Sequence, residues 1–379
     1  MELFVTNRKT LEEDGWLPGS FEIENDHEEA HKFKHSAKHY IESVLDFNPD
    51  ATEQIDLRDK HLSSVEHLGG KSRKASNKLI GQICEHFPVI EKQLEERSWL
   101  SSNFAEIKAL SQSLDPFLNH VKEDGIPRLL ERIPFIPTPM RRYYTRFESQ
   151  RDKVEQIVKS LEKVTDVFEK DIELFKAQLR SMSDYCTAIG KNIFIGQAIE
   201  KGLLRALAKD LFVEDPRRDF IEKEQIPRLR ERMSNLKRQL DLNRGYITVL
   251  TVVLLNNESL YKALIRGKKD LVAAFNLGVR MAGVRINLTI APVEESKSTH
   301  VDGSPDDNLF APQTLKSLSA AFARTIDLAD SVKDFIKKSL EAFRESASGL
   351  PQLQKEVEEA FQAARMRDLS ATAQDHDAG

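Results

Sequence analysis

Apolar side chains recur at alternating threes and fours from Phe147 to Ile193, and this run constrains the fold more than any other feature. One series runs through Val158, Thr165, Ile172, Leu179, Cys186 and Ile193 in steps of seven. Its companion takes Phe147, Val154, Leu161, Phe168, Phe175, Met182 and Ile189. A seam of this kind over about six heptads is the pattern of a coiled coil or of a long antiparallel helical hairpin. The phenylalanines and Thr165 on it suit packing against other helices of the same chain better than a parallel dimer zipper.

Two further seams follow. Leu229, Met233, Leu236, Leu240, Ile247, Leu250 and Leu254 mark a helical stretch from about 228 to 290, and Leu315, Leu318, Phe322, Ala329, Val332, Ile336 and Phe343 mark a third. Pro127, Pro134, Pro137 and Pro139 crowd the segment before the first seam. Each removes a backbone donor and disfavours helix at the residue before it, which reads as an extended connector. Upstream, "NPD" at 48–50, "LGGKS" at 68–72, Pro88 and Pro116 read as turns between shorter helices. "IGQ" at 195–197, "DPRR" at 215–218 and Pro227 read as breaks between the long ones. The expectation is an all-α protein, with a small N-terminal helical domain plus an elongated antiparallel coiled-coil stalk of three long helices. Its parts are a poorly ordered leader at 1–25, the N-terminal domain at 26–126 and the connector at 127–140. The long-helix domain takes 141–346, and 347–379 is a short helix with a disordered tail. The segment 292–308 reads as a flexible acidic loop.

Composition narrows the function classes. Glycine and proline are scarce at 16 and 14 in 379 residues, which favours helices over sheets. The net charge of −5 gives no general attraction to nucleic acid. With only Cys84 and Cys186, the chain has no disulfide framework and no cysteine-based zinc site, and it suits a reducing compartment. No signal peptide is expected. The most apolar run, Ile247 to Leu255, is about half the length of a membrane span. The expected location is the cytoplasm, with the inner membrane surface as a further candidate. No phosphate-binding loop, dinucleotide fingerprint or nucleophile elbow is present.

Three stretches carry a family resemblance: "LGGKSRKASNKLIGQ" at 68–82, "IPFIPTPMRRYYTRFESQRDKVEQIVKSLEKVTDVFEKDIELF" at 133–175, and "NNESLYKALIRGKKDLVAAFNLGVRMAG" at 256–283. In this order they resemble the toxic anion resistance family, also called the TelA or tellurite-resistance family. With their connecting helices they cover roughly 50–345. The resemblance implies a helical bacterial cytoplasmic protein associated with resistance to tellurite, with phage and colicin resistance and with envelope stress. It brings no catalytic residues. Where family members often carry an alanine- and threonine-rich surface in the third stretch, this chain has "KKDLVAAFNLGVR", with Phe275 inserted.

Three sets of side chains are candidates for chemistry. "HEEAHKFKHSAKHY" places His27, His31, His35 and His39 one helical turn apart, so neighbours in the series can share a metal ion. Its first five letters match the H-E-x-x-H zinc-protease motif. However, Ala30, Phe33, Ala37, Ile41 and Val44 take the apolar face and put the histidines on its flank, with no cleft and no third ligand. The alternatives are a solvated face or weak metal binding there. The cysteines are candidate thiols for reducing an oxyanion, but Cys186 lies on the heptad seam, where a small buried hydrophobe is the plain reading. The basic clusters Arg141, Arg142, Tyr143, Tyr144 and Arg146, and Arg266, Lys268 and Lys269, interleave cations with aromatics and suit phosphate or another anion, nucleic acid, an anionic lipid headgroup or a partner protein. "PRRDFIEKEQIPRLRER" mixes acids with its arginines and reads more plainly as a salt-bridged surface.

These readings favour a non-enzymatic protein that acts by self-association or by docking other stress-resistance proteins, with an anionic membrane surface as a candidate partner. No cofactor is expected. The alternatives are a metal- or oxyanion-binding protein using the histidines, or a nucleic-acid-binding protein, which the net charge disfavours.

Overall fold

The computed structural model describes residues 27–95, 99–116, 146–209, 211–281 and 312–377, apart from 50, 52–53 and 148. Leader residues 1–25, the proline connector at 127–140 and the acidic loop at 292–308 lie outside the described residues. Every long element is a helix, and no strand occurs among the described residues, so the protein is all-α as the seams require. The helices are α1 (His27–Leu45), α2 (Ile55–Glu66), α3 (Gly70–Leu94), α4 (Trp99–Leu114), α5 (Arg151–Lys209), α6 (Pro216–Asp219), α7 (Ile226–Met281), α8 (Pro312–Ala347) and α9 (Leu350–Asp377). A π-helical turn, Phe220–Gln225, joins α6 to α7.

Helix α5 is continuous for 59 residues, through the "IGQ" that reads as a break. Gly196 serves packing there. A β-carbon on it would fall 2.9 Å from Met233 Cγ and Sδ, so the glycine lets the α7 side chain close onto the α5 backbone. Pro88 also fails to end its helix, and α3 carries it to Leu94. The proline costs one backbone hydrogen bond, while Leu79, Ile80, Ile83 and Ile90 on the same helix are buried. Most of the expected seam residues are interior, with Thr165 and Leu179 half-buried. Phe147, Val154, Leu161, Phe168, Phe175, Met182 and Ile189 are all buried, as are Leu229, Met233, Leu236, Leu240, Ile247, Leu250 and Leu254.

The chain divides into two compact units, each drawn from separated stretches. In the stretches 89–174 and 254–342, α4, the first part of α5, the last part of α7 and α8 surround an aromatic core. The ring of Phe147 lies 5.8 Å from that of Phe275 and 6.0 Å from that of Phe322. Ion pairs Lys108–Asp330 and Lys268–Glu162 hold its surface.

The other unit includes 7–88, 175–253 and 343–379. Its α1 buries Ala37 and Val44, with Phe47 just beyond it, against Leu203, Leu207, Phe220 and Ile221. Tyr40 bonds to His61 O and to Gln225 of the π-helical turn. On the neighbouring flank α3, α7 and α9 come together, and a run of polar groups is buried among their apolar contacts.

Candidate functional site

The polar contact begins at the turn into α3. Gly69 takes the left-handed conformation (φ 68°), which only glycine adopts freely, and Gly70 N–H donates to His67 O at 2.9 Å. This places Arg73, Ser76, Asn77 and Cys84 along one flank of α3 at helical spacing, opposite Arg232, Gln239, Asn243 and Tyr246 of α7.

At the turn end, two guanidinium groups share one aromatic ring from α9. Arg73 Cζ lies 3.9 Å from the Phe361 centroid and Arg232 Cζ 5.1 Å from it. Arg232 Nε donates to Leu68 O at 2.8 Å. Burial, followed by repulsion from Arg73, brings Arg232 down to about 10, and burial lowers Arg73 against the pull of Glu358. Neither makes an ion pair with a carboxylate among the described residues. Glu66, the acid that attracts Arg232, is bonded to Arg228 at 2.9 Å.

In the middle, Ser76 Oγ donates to Asn243 Oδ1 at 2.7 Å. Gln239 Nε2 donates toward Asn77 Oδ1 at 2.9 Å and Asn243 Oδ1 at 3.0 Å. Ser76, Gln239 and Asn243 are fully buried, and Gln239 Oε1 and Asn243 Nδ2 have no hydrogen-bond partner. At the far end Tyr246 Oη donates to Gln354 Oε1 at 3.1 Å, which leaves the Cys84 thiol, 3.2 Å away, as donor to Tyr246. Burial and then Cys84 raise the Tyr246 phenol well above its usual range. Burial also pushes the Cys186 thiol up to about 11, against the pull of Arg244 and Asn243, so it stays protonated and unreactive at neutral pH. Amides, hydroxyls and guanidinium groups are therefore used to join three helices. At one end, two cations lack paired acids.

Of the residues singled out in the sequence, Cys84 lies in this contact and Cys186 beside it, while the histidines and the numbered basic residues lie elsewhere. His31, His35 and His39 are exposed on α1, with the rings of His35 and His39 4.9 Å apart, and His27 begins the same helix. No group of three or more His, Cys, Asp or Glu side chains among the described residues is placed to hold a metal ion. Arg141, Arg142, Tyr143 and Tyr144 lie outside the described residues, and Arg146 is exposed. On α7 Arg266 pairs with Asp270 and Lys268 with Glu162, while Lys269 is exposed. Four of the five arginines of "PRRDFIEKEQIPRLRER" are likewise paired: Arg217 with Asp215, Arg218 with Glu222, Arg228 with Glu66 and Arg230 with Glu200, while the fifth, Arg232, belongs to the polar contact. Sequence reasoning missed Arg73, Ser76, Gln239 and Asn243. The one signal was "LGGKSRKASNK", which carried the family resemblance without standing out as a site.

The model of the toxic anion resistance protein (TelA) family matches residues 49–276. No curated protein and no solved structure matches the chain. The family match contains the α3 and α7 sides of the polar contact and leaves out His27–His39 and all of α9. It takes in well over half of the sequence, and the chain belongs to the toxic anion resistance (TelA) family.

Proposed function

We propose that this toxic anion resistance protein works without catalysis, as a cytoplasmic helical protein that assembles with itself or with partner proteins at the inner face of the membrane. The observation that carries this reading is the use of the buried chemistry: Ser76, Gln239, Asn243, Tyr246 and Cys84 bond to one another or across to α9. Their buried network fixes how the helices meet. The charged outward faces of the long helices supply docking surface. No described helix is long and apolar enough to cross a membrane, so a membrane role here is that of a surface-bound protein.

A pull-down from native cells combined with membrane fractionation tests the proposal. The expected result is recovery in a complex or with the membrane fraction, and recovery only as a free soluble monomer overturns it. The absence of catalysis has its own test. A strain carrying Cys84→Ser and Cys186→Ser should keep its resistance, and loss of resistance with normal protein levels would point to thiol chemistry.

A second reading, oxyanion binding, is favoured by Arg73 and Arg232, two half-buried cations without paired carboxylates around Phe361. Titration calorimetry with tellurite and with sulfate tests it: heat that disappears in Arg73→Gln supports the reading, and no heat with either anion removes it.

A further inference from the structure

The turn between α5 and α6 exposes two apolar side chains that the rest of the unit does not use. Phe212 and Val213 are each 85% exposed, whereas the preceding Leu211 is buried at 8%. Lone exposed hydrophobic residues are ordinary, but an adjacent phenylalanine and valine held almost wholly in solvent are not.

The turn is a built one. Leu211 N–H donates to Ala206 O at 3.1 Å and Asp215 N–H to Phe212 O at 3.2 Å. Asp215 caps α6 by accepting from Arg217 N–H, and the Arg217 guanidinium grips the same carboxylate. That bonding holds the Asp215 carboxyl below its usual range. Arg217 Nη1 also donates to Leu45 O and Arg218 Nη1 to Leu207 O. The backbone is therefore fastened on both sides, and this turns Leu211 inward and Phe212 and Val213 outward.

The helix leading into the turn carries Lys201, Arg205 and Lys209 at one-turn spacing. All three are exposed, and none pairs with an acid among the described residues. With the half-exposed Leu204 and Ala208 they line one open face of α5. The nearest acid on that face, Glu200, is bonded to Arg230 Nε. Glu214 is exposed beside the apolar pair, and Asp210 stands two positions before Phe212 in sequence.

We propose that this tip is the membrane-docking site of the protein, with Phe212 and Val213 entering the headgroup region of an anionic bilayer and Lys201, Arg205 and Lys209 lying over its phosphates. The inference rests on the membrane-surface part of the function proposed above and assigns residues to it. The argument for lipid is charge and shape. The apolar pair stands on a turn entered from a helix face whose cations lack their own counter-ions, and such a pairing of shallow insertion with basic residues is how peripheral proteins hold anionic membranes.

Flotation of the full-length protein with vesicles containing about a quarter phosphatidylglycerol, against pure phosphatidylcholine vesicles, tests both levels. The wild type should float with the anionic vesicles and release in about 0.5 M salt. Phe212→Ser with Val213→Ser should weaken binding more than about tenfold. Lys201→Gln, Arg205→Gln and Lys209→Gln together should weaken it about a hundredfold and remove the salt dependence. Neither variant should change the melting curve, since the replaced groups bury little. A wild type that stays with neither vesicle overturns the membrane reading and this site with it. A wild type that floats equally well with and without the tip residues overturns the site alone. A change in molar mass by light scattering in the Phe212/Val213 variant, with flotation unchanged, would assign the tip to contact with a second copy and overturn the proposal.

Discussion

Around Phe147, Phe275 and Phe322 the interior is aromatic and aliphatic, while around Ser76, Gln239 and Asn243 it is polar. Each region belongs to a different compact unit of one chain, and each lies where helices meet. The aromatic region gains stability in proportion to the area it buries, with little demand on geometry beyond fit. The polar region gains less per contact and loses more if a contact is missing, since a buried amide without a partner costs as much as the bond it lacks. Gln239 Oε1 and Asn243 Nδ2 already carry that cost. One region is built for stability, and the other gives up stability to specify how three helices meet. The second is therefore the better place to look for function.

The largest effect should come from the aromatic side. Phe322→Ala removes a fully buried ring and should cost about 3–5 kcal/mol. Hydrogen exchange gives the sharper measurement, because a chain with two units need not unfold in one step. Amides of Trp99–Leu114 and Pro312–Ala347 should lose protection, while those of Gly70–Pro88 keep theirs. Equal loss in both sets would show that the two regions share one unfolding event and would break the comparison.

In the polar region Asn243→Ala leaves Ser76 and Gln239 without their shared acceptor and should cost about 1–3 kcal/mol. The triple change Ser76→Ala, Gln239→Leu and Asn243→Leu should be neutral or stabilising, because removing the three buried groups together also removes their desolvation cost and leaves only the half-buried Asn77, which can turn to water. Denaturant unfolding measures stability, and growth in tellurite measures function. A triple variant as destabilised as the single one would mean that the network contributes net stability, and the contrast with the aromatic region would fail.

How much of this was legible in the sequence follows from the same contrast. The seam residues were legible because their period is local, so the spacing from Phe147 to Ile189 reveals the buried face before any partner is known. Ser76, Gln239 and Asn243 were not, since a polar residue on a helix reads as surface unless its partner is known. Here the partners are more than 160 positions apart in the chain. Gly196 and Pro88 were misread for a related reason. Both are local signals for a break, and buried contacts with distant residues override them. The exposure of Phe212 and Val213 was also invisible, because "DLFVEDPRR" reads only as a turn.

A smaller effect is expected from His61, a titratable group buried in the packing around α1 beside Tyr40 and Gln225. Its ring lies between Tyr40 and Phe47, at 5.9 and 5.5 Å, and its Nε2 has no hydrogen-bond partner. Burial, with Lys60 adding to it, lowers its pKa below 6.5. The unfolded chain then binds a proton at a higher pH than the folded one does. Stability from this group is complete above about pH 6.5 and falls as the pH drops toward the folded value. Melting curves from pH 7.5 to 5 should show that fall in the wild type and a shallower one in His61→Gln. Identical slopes would place the pH dependence elsewhere.

The smallest stability effect should come from the exposed histidines, and this makes them the cleanest probe of surface chemistry. His31, His35 and His39 bury nothing that the fold needs, so His31→Ala with His35→Ala should change stability by less than about 0.5 kcal/mol. The His35 and His39 rings, 4.9 Å apart on successive turns, have the spacing for a two-imidazole contact with an ion. Two ligands on an exposed face bind weakly, since the ion keeps most of its water and no buried group orients the rings. Titration with zinc or nickel should therefore show, at most, weak heat that the double variant loses. Tight binding that survives the double change would mean that a different set of side chains holds the metal, whereas tight binding that the double change abolishes would rank the region around α1 above the polar contact of α3, α7 and α9 as the place where this protein meets its ligand.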